Sequence, residues 1–305
     1  MEAIDLSAIS IDNRVWAVFI LTAFINLINT LVRSSRLAGV RTGRLATAIS
    51  LFGVIFLAAS FANTLQAPLL ASTMEKQMNQ AIEQAVLLAP DQPVTDSEVY
   101  QETLNKVNTQ LRTVLCGATV GALFGLVLIP SFVSTFINII NAFNRTGSVF
   151  RLLPLFFFSF GGQARIKIVL RLTSWKTIKQ LFTRSMVTPS AFLYWSALSY
   201  SIWTVNVLAG LFAAALFPEY RGVAATTAAI FGNLSIMLNV LMVDPILARV
   251  TDGVAAGTQQ ELELKQIIFF LALANVVGTL LSQLLFSPMA QLVLKIAIII
   301  KDFGM

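Results

Sequence analysis

Apolar residues gather in six long runs, near 15–33, 45–72, 113–144, 189–218, 222–248 and 266–300, with polar stretches between them. A helix needs about 20 residues to cross ~30 Å of hydrocarbon, so each run predicts a transmembrane helix. The fold class expected is all-α, a polytopic helical bundle forming one transmembrane domain over 1–305. The third and sixth runs exceed what a bilayer requires. Pro130 and Pro288 predict kinks there, with tilt, a protruding end or a re-entrant turn as alternatives. A shorter run, "LLPLFFFSFGG" (152–162), is too short to span and predicts a re-entrant or interfacial segment.

Polar residues interrupt the runs at helical spacing. Thr22, Asn26, Asn29 and Arg33 fall on one face of the first; Ser131, Ser134, Asn138, Asn141 and Arg145 do so on the third. Ser60, Asn63 and Gln66 lie on the second, Ser196, Ser199 and Asn206 on the fourth with Trp203 among them, and Asn275, Thr279 and Ser282 on the sixth. The fifth carries Asn233 and, eleven residues on, Asp244, the one acid inside the runs. Each such residue alone reads as helix–helix glue worth ~0.6–2 kcal/mol. Repeated in all six runs, they predict a polar cavity. Asp244, followed by Pro245 and then Arg249, reads either as a helix end with a local ion pair or as a coupling residue at a broken helix. Gly117, Gly121 and Gly125 make two GxxxG steps, a close helix contact within the bundle or between protomers of a homo-oligomer.

Between the second and third runs, apolar positions at helical spacing on either side of "APDQPV" predict a helical hairpin over 74–112, its second arm opened by a Thr95–Glu98 capping box. The stretch 163–184, rich in Lys and Arg, predicts a basic amphipathic helix on an anionic leaflet.

Charge orients the bundle. Arg33, Arg36, Arg41 and Arg44 follow the first run with no acid among them, and residues 145–184 hold eight bases and no acid. Residues 73–112 hold six acids against three bases. Positive loops stay cytoplasmic, so the hairpin and both termini are expected outside. Topology alone would be served by lysine. Four arginines, with Gly39 and Gly43 among them, point to a backbone turning around a phosphate group, which the guanidinium fork matches. Arg36 and Arg41 are the leading candidates, then Arg33 and Arg44, with Arg145 and Arg249 completing the site and Asn63 and Gln66 lining the path.

Composition narrows the chemistry. The 305 residues are 56% hydrophobic and 12% charged, with mean hydropathy +0.78, against about 25% charged in soluble domains. The acidic start lacks a signal peptide's basic n-region, so the first run is expected to remain in place. There is no histidine and one cysteine, Cys116, which excludes an internal disulfide, the usual zinc sites and histidine-based catalysis. No G-x-x-x-x-G-K-[ST] phosphate loop occurs. No metal, cofactor or nucleic-acid partner is expected. Transport of an amphiphilic cargo leads; a membrane enzyme acting on a polyprenyl phosphate through Asp252, Glu261 and Glu263 is the alternative, with a small-solute carrier third.

The stretch "RLAGVRTGRLATAISLFGVIFLAASFANTLQAPLL" (36–70) resembles the signature region of the Amj lipid II flippases, the bacterial alternates to MurJ. "GSVFRL" (147–152), "DPILARVTD" (244–252) and "VVGTLLSQLLFSP" (276–288) resemble later blocks of that family in the same order. The chain departs from the pattern at Phe61, where the family commonly has an arginine. The resemblance implies movement of undecaprenyl-pyrophosphate-linked peptidoglycan precursor, lipid II, across a bacterial inner membrane. Its substrate would be lipid II or a similar anionic polyprenyl-linked glycan.

Overall fold

The computed structural model describes residues 13–88, 90–147, 169–183 and 190–303, and among these it is helical apart from turns and one extended stretch. The helices are α1 (Asn13–Leu31), α2 (Ser34–Thr42), α3 (Leu45–Leu88), α4 (Glu98–Thr146), α5 (Trp175–Thr183), α6 (Ala191–Leu216), α7 (Arg221–Leu238), α8 (Asp244–Ala255) and α9 (Glu261–Phe303). A π-helical turn, Asn239–Val243, joins α7 to α8 without a break. Among the described residues, six continuous helical stretches are long and apolar enough to cross a membrane: α1, α3, α4, α6, α7 through α8, and α9. The chain is therefore a multi-pass membrane protein. The expectation for 152–162 lies outside the described residues.

Helices α3 and α4 outrun any bilayer. The 49 residues of α4 extend about 73 Å, more than twice the ~30 Å hydrocarbon core. The surplus is the expected hairpin, whose arms run on unbroken from the spans. Met74, Met78 and Ala81 of α3 bury against Tyr100, Leu104 and Val107 of α4, and the Tyr100 hydroxyl donates to the Ala215 carbonyl at 2.7 Å. The capping differs from expectation. Residues 94–96 form a 3₁₀ turn, so α4 starts at Glu98 and its cap is Ser97, whose Oγ accepts from the Tyr100 N–H at 3.3 Å. Thr95 sits inside that turn.

The bundle has two sides. Helices α1 to α4 pack on one another, as do α6, α7 and α9, and α9 also packs on α4 and so joins the sides at the back. The glycine steps belong to the first side. A Cβ added at Gly121 would come within 1.9 Å of the Ala23 carbonyl oxygen, and one at Gly117 within 2.7 Å of that of Phe19. The steps therefore press α1 against α4 inside the bundle. At the front α3 barely touches α6, and α3 and α7 lack a packed interface. Two apolar cores close the ends: one near the hairpin around Val15, Leu111, Val205 and Phe286, one near the arginines around Leu37, Phe136, Leu247 and Leu264.

Two proline sites show how freed backbone groups are answered. Pro130 offers no N–H to the Leu126 carbonyl, and Thr173 Oγ1 donates to it at 3.3 Å. The segment before α5 is extended rather than helical, pinned along α4 by Ser131, whose Oγ donates to the Arg171 carbonyl at 2.6 Å and accepts from the Arg171 N–H at 2.8 Å. The amphipathic helix expected over 163–184 is thus helical over Trp175–Thr183, while 163–168 and 184 lie outside the described residues. Pro245 likewise cannot donate to the Leu241 carbonyl, and the chain widens into the π turn just before it. The broken helix expected at Asp244 is this π turn, in a helix that stays continuous.

Candidate functional site

The front gap holds two adjoining cavities whose largely apolar walls carry inset polar side chains. The one nearer the arginines encloses about 720 Å³ and is lined by Asn29, Arg33, Arg36, Asn63, Tyr200 and Asp244 among others. The one nearer the hairpin encloses about 500 Å³ and is lined by Asn26, Gln66, Asn206 and Asn233 among others. Ile25, Asn63, Trp203 and Ile236 border both. Their walls come from α1, α2, α3, α6, α7, the π turn and the start of α8; Phe56 and Val240 line the gap, and Leu57 and Leu65 on α3 and Met237 and Leu241 on α7 and the π turn are exposed apolar side chains of the same walls. A gap between two helices that sets polar side chains among apolar ones suits an amphiphile whose head enters while its tail stays in lipid.

Arg33 is a firmly held cation of the arginine cavity. It is 9% exposed, its Nη1 donates to the Tyr200 hydroxyl, and its Nη2 donates to Asn239 Oδ1 at 2.9 Å. Asn239 Nδ2 in turn donates to Ser199 Oγ, which bonds to Ser235 across α6 and α7. Arg33 Nε has no partner among the described residues. One turn on, Arg36 in α2 lines the same cavity and makes no hydrogen bond or ion pair among the described residues. Burial pulls its pKa below the ordinary arginine value; Asp244 opposes that pull and Arg33 adds to it. The guanidinium nevertheless stays charged. A desolvated cation beside a second cation is stabilised by an incoming anion. Asp244 lines this cavity, neither hydrogen-bonded nor ion-paired among the described residues, so the local pair expected with Arg249 does not form.

The model of the family described as Amj, alternate to MurJ, matches residues 21–297. The chain belongs to this family. It is 30% identical over 279 residues to "Lipid II flippase Amj" of Bacillus subtilis (strain 168), a match covering 91% of this chain and 94% of that one. No solved structure matches it.

Within this Amj-family chain the structure gathers some of the expected residues and disperses others. Arg33, Arg36, Asn63, Gln66 and Asp244 line the cavities. Arg41 does not: its Nε and Nη2 donate to Glu261 Oε1 at 3.2 and 2.8 Å, tying α2 to the start of α9, where Lys265 holds the same oxygen at 2.6 Å. Arg44, Arg145 and Arg249 also lie off both linings, the last two exposed on α4 and α8. The glycines have other work than wrapping a ligand. Gly39 sits within α2, where a Cβ would come within 2.9 Å of Leu45 and Ala48, and Gly43 ends α2 at φ 65°. Phe61 is 66% exposed on α3, outside the linings. The stripes on α4 and α9 lie off both cavities: Ser131 clips the extended segment, and Asn275 Nδ2 donates to Thr30 Oγ1 at 2.5 Å. Tyr200 and Asn239, both missing from the expected set, hold Arg33 in place.

An exposed pair such as Arg41–Glu261 contributes about 0–1 kcal/mol. Arg41→Lys keeps the charge and is expected to leave both protein level and transport close to the parent's, as measured in the same assays as the cavity variants below.

Proposed function

We propose that this chain is a lipid II flippase, which carries the anionic polyprenyl-linked headgroup from the cytoplasmic to the outer leaflet of a bacterial inner membrane while the polyprenyl chain stays in lipid. The observation that carries the reading is Arg33 and Arg36 lining one cavity in the gap between α3 and α7. The two arginines receive the pyrophosphate. Arginine suits this because its planar fork pairs two phosphate oxygens at once. With the basic end cytoplasmic, moving an anion outward runs down the membrane potential, worth ~2.3 kcal/mol per charge per 100 mV. The chain has no phosphate loop for ATP, so the potential or a coupling ion supplies the drive. The transporter reading is favoured over the enzyme reading because Glu261, central to the latter, is already held by Arg41 and Lys265.

Complementation tests this reading. Expressed in a strain depleted of its own lipid II flippases, the parent chain is expected to restore growth. Failure at normal protein level and correct orientation would overturn it. Orientation is checked by cysteine labelling from outside intact cells: a cysteine at residue 2 is expected to react and one at residue 265 is not.

Asp244 is the proposed coupling residue, since it is the acid lining the arginine cavity. A carboxylate beside the pyrophosphate site repels the substrate unless it is protonated or paired. Asp244→Asn is expected to abolish transport at normal protein level. Transport with the parent's pH dependence would return Asp244 to a structural role.

A further inference from the structure

The two cavities differ in charge. The arginine cavity carries Arg33, Arg36 and Asp244, whereas no ionisable side chain among the described residues lines the one nearer the hairpin. Carboxamides make up most of the polar groups in the latter, whose wall is otherwise largely apolar: Asn26, Asn63, Gln66, Asn206 and Asn233 converge there from α1, α3, α6 and α7. A carboxamide carries donor and acceptor on one group, which matches ligand hydroxyls and amides and gives no preference for an ion.

Helix–helix glue does not account for them. Away from both cavities, Asn275 gives its Nδ2 to Thr30 Oγ1 and leaves only its Oδ1 without a partner among the described residues, so a single orphaned oxygen does not by itself mark a site. Gln66 is 7% exposed, yet it bonds to nothing among the described residues. Asn26 is 5% exposed; its Nδ2 donates to the Thr22 carbonyl at 3.0 Å, while its Oδ1 has no partner among the described residues. An unpaired buried polar atom is costly. Asn26 Oδ1 and the whole Gln66 amide border one space without partners among the described residues, and an occupant there can supply the missing bonds.

We propose that the cavity nearer the hairpin is a separate uncharged subsite for the neutral, hydroxyl- and amide-bearing portion of the headgroup, the sugars and peptide beyond the pyrophosphate. This rests on the flippase reading above and deepens it. The cavities meet at Asn63 and Trp203, so one headgroup reaches both, with its pyrophosphate at Arg33 and Arg36 and its glycopeptide among the amides. Selectivity for a loaded carrier over a bare polyprenyl pyrophosphate follows from the second cavity alone.

The test compares two probes, lipid II and undecaprenyl pyrophosphate, for binding to the purified full chain in lipid nanodiscs. Each hydrogen bond contributes roughly three- to tenfold, so the parent is expected to bind lipid II at least about tenfold more tightly. Gln66→Leu and Asn233→Leu are expected to move the ratio of the two affinities toward one. Leucine suits both membrane-embedded positions, and Asn233 is exposed on α7; the thermal unfolding midpoint confirms folding. Arg36→Gln is expected to weaken both probes and keep the ratio. Equal affinities in the parent, or a ratio unchanged in both leucine variants, would overturn the subsite and leave the flippase reading standing. Binding of neither probe would overturn the flippase reading and the subsite with it.

Discussion

Arg36→Lys is expected to lose complementation while protein level and orientation stay normal. Lysine keeps the positive charge that sets topology but replaces a planar fork with a point charge. Arg36 makes no hydrogen bond or ion pair among the described residues, so the change removes little from the fold. One charge-assisted contact is worth roughly 1.5–3 kcal/mol, one to two decades in affinity. Arg33→Lys should act in the same direction for an added reason, because the fork that holds Tyr200 and Asn239 together is lost. Growth at the parent's level for Arg36→Lys, Arg33→Lys and the double variant would reduce both arginines to topology signals. Arg41→Lys is the matched control, a basic side chain in the same helix that faces Glu261 instead of the cavity.

Gly121→Val is expected to prevent folding altogether. The obstacle 1.9 Å from the new Cβ is the Ala23 carbonyl oxygen, and backbone cannot swing aside as a side-chain end can. Ordinary overpacking costs ~1–3 kcal/mol; here α1 would have to leave α4, and with it the face bearing Asn26, Asn29 and Arg33. Aggregation on size-exclusion chromatography in detergent is the expected readout. Gly222→Ala, with nothing within 4 Å of the added Cβ, should leave the unfolding midpoint unchanged or slightly higher. A monodisperse Gly121→Val protein would show that the α1–α4 contact is looser than the structure places it.

Much of the fold was legible in the sequence because hydrocarbon leaves few options: long apolar runs become helices, and six runs became six spanning stretches. The stripes on α1, α3 and α6 located the cavity, since polar faces inside a membrane need polar company. The stripes on α4 and α9 misled because periodicity shows which residues share a face and not what that face meets. Ser131 met an extended segment freed to sit there beside Pro130. The pairing of Arg41 was not legible because its partner Glu261 is 220 residues away. Asn239 was missed for a geometric reason. Five residues separate it from Asp244, and in an α-helix that is about 140° around the axis, so the two should face apart. The π turn, with its i→i+5 bonds, brings both to the same cavity. The clue in the sequence was Pro245, whose missing N–H disturbs the preceding turn.

The central claim is that Arg33 and Arg36 receive a lipid-linked pyrophosphate in a cavity through which the headgroup crosses. Reconstitution into vesicles tests it most directly, with fluorescent lipid II placed in one leaflet and its arrival in the other read by quenching. The account predicts transfer well above protein-free vesicles for the parent, with Arg36→Lys slower by about one to two decades and Arg41→Lys close to the parent. Transfer by Arg36→Lys at the parent's rate, or no transfer by a folded parent protein, would contradict it.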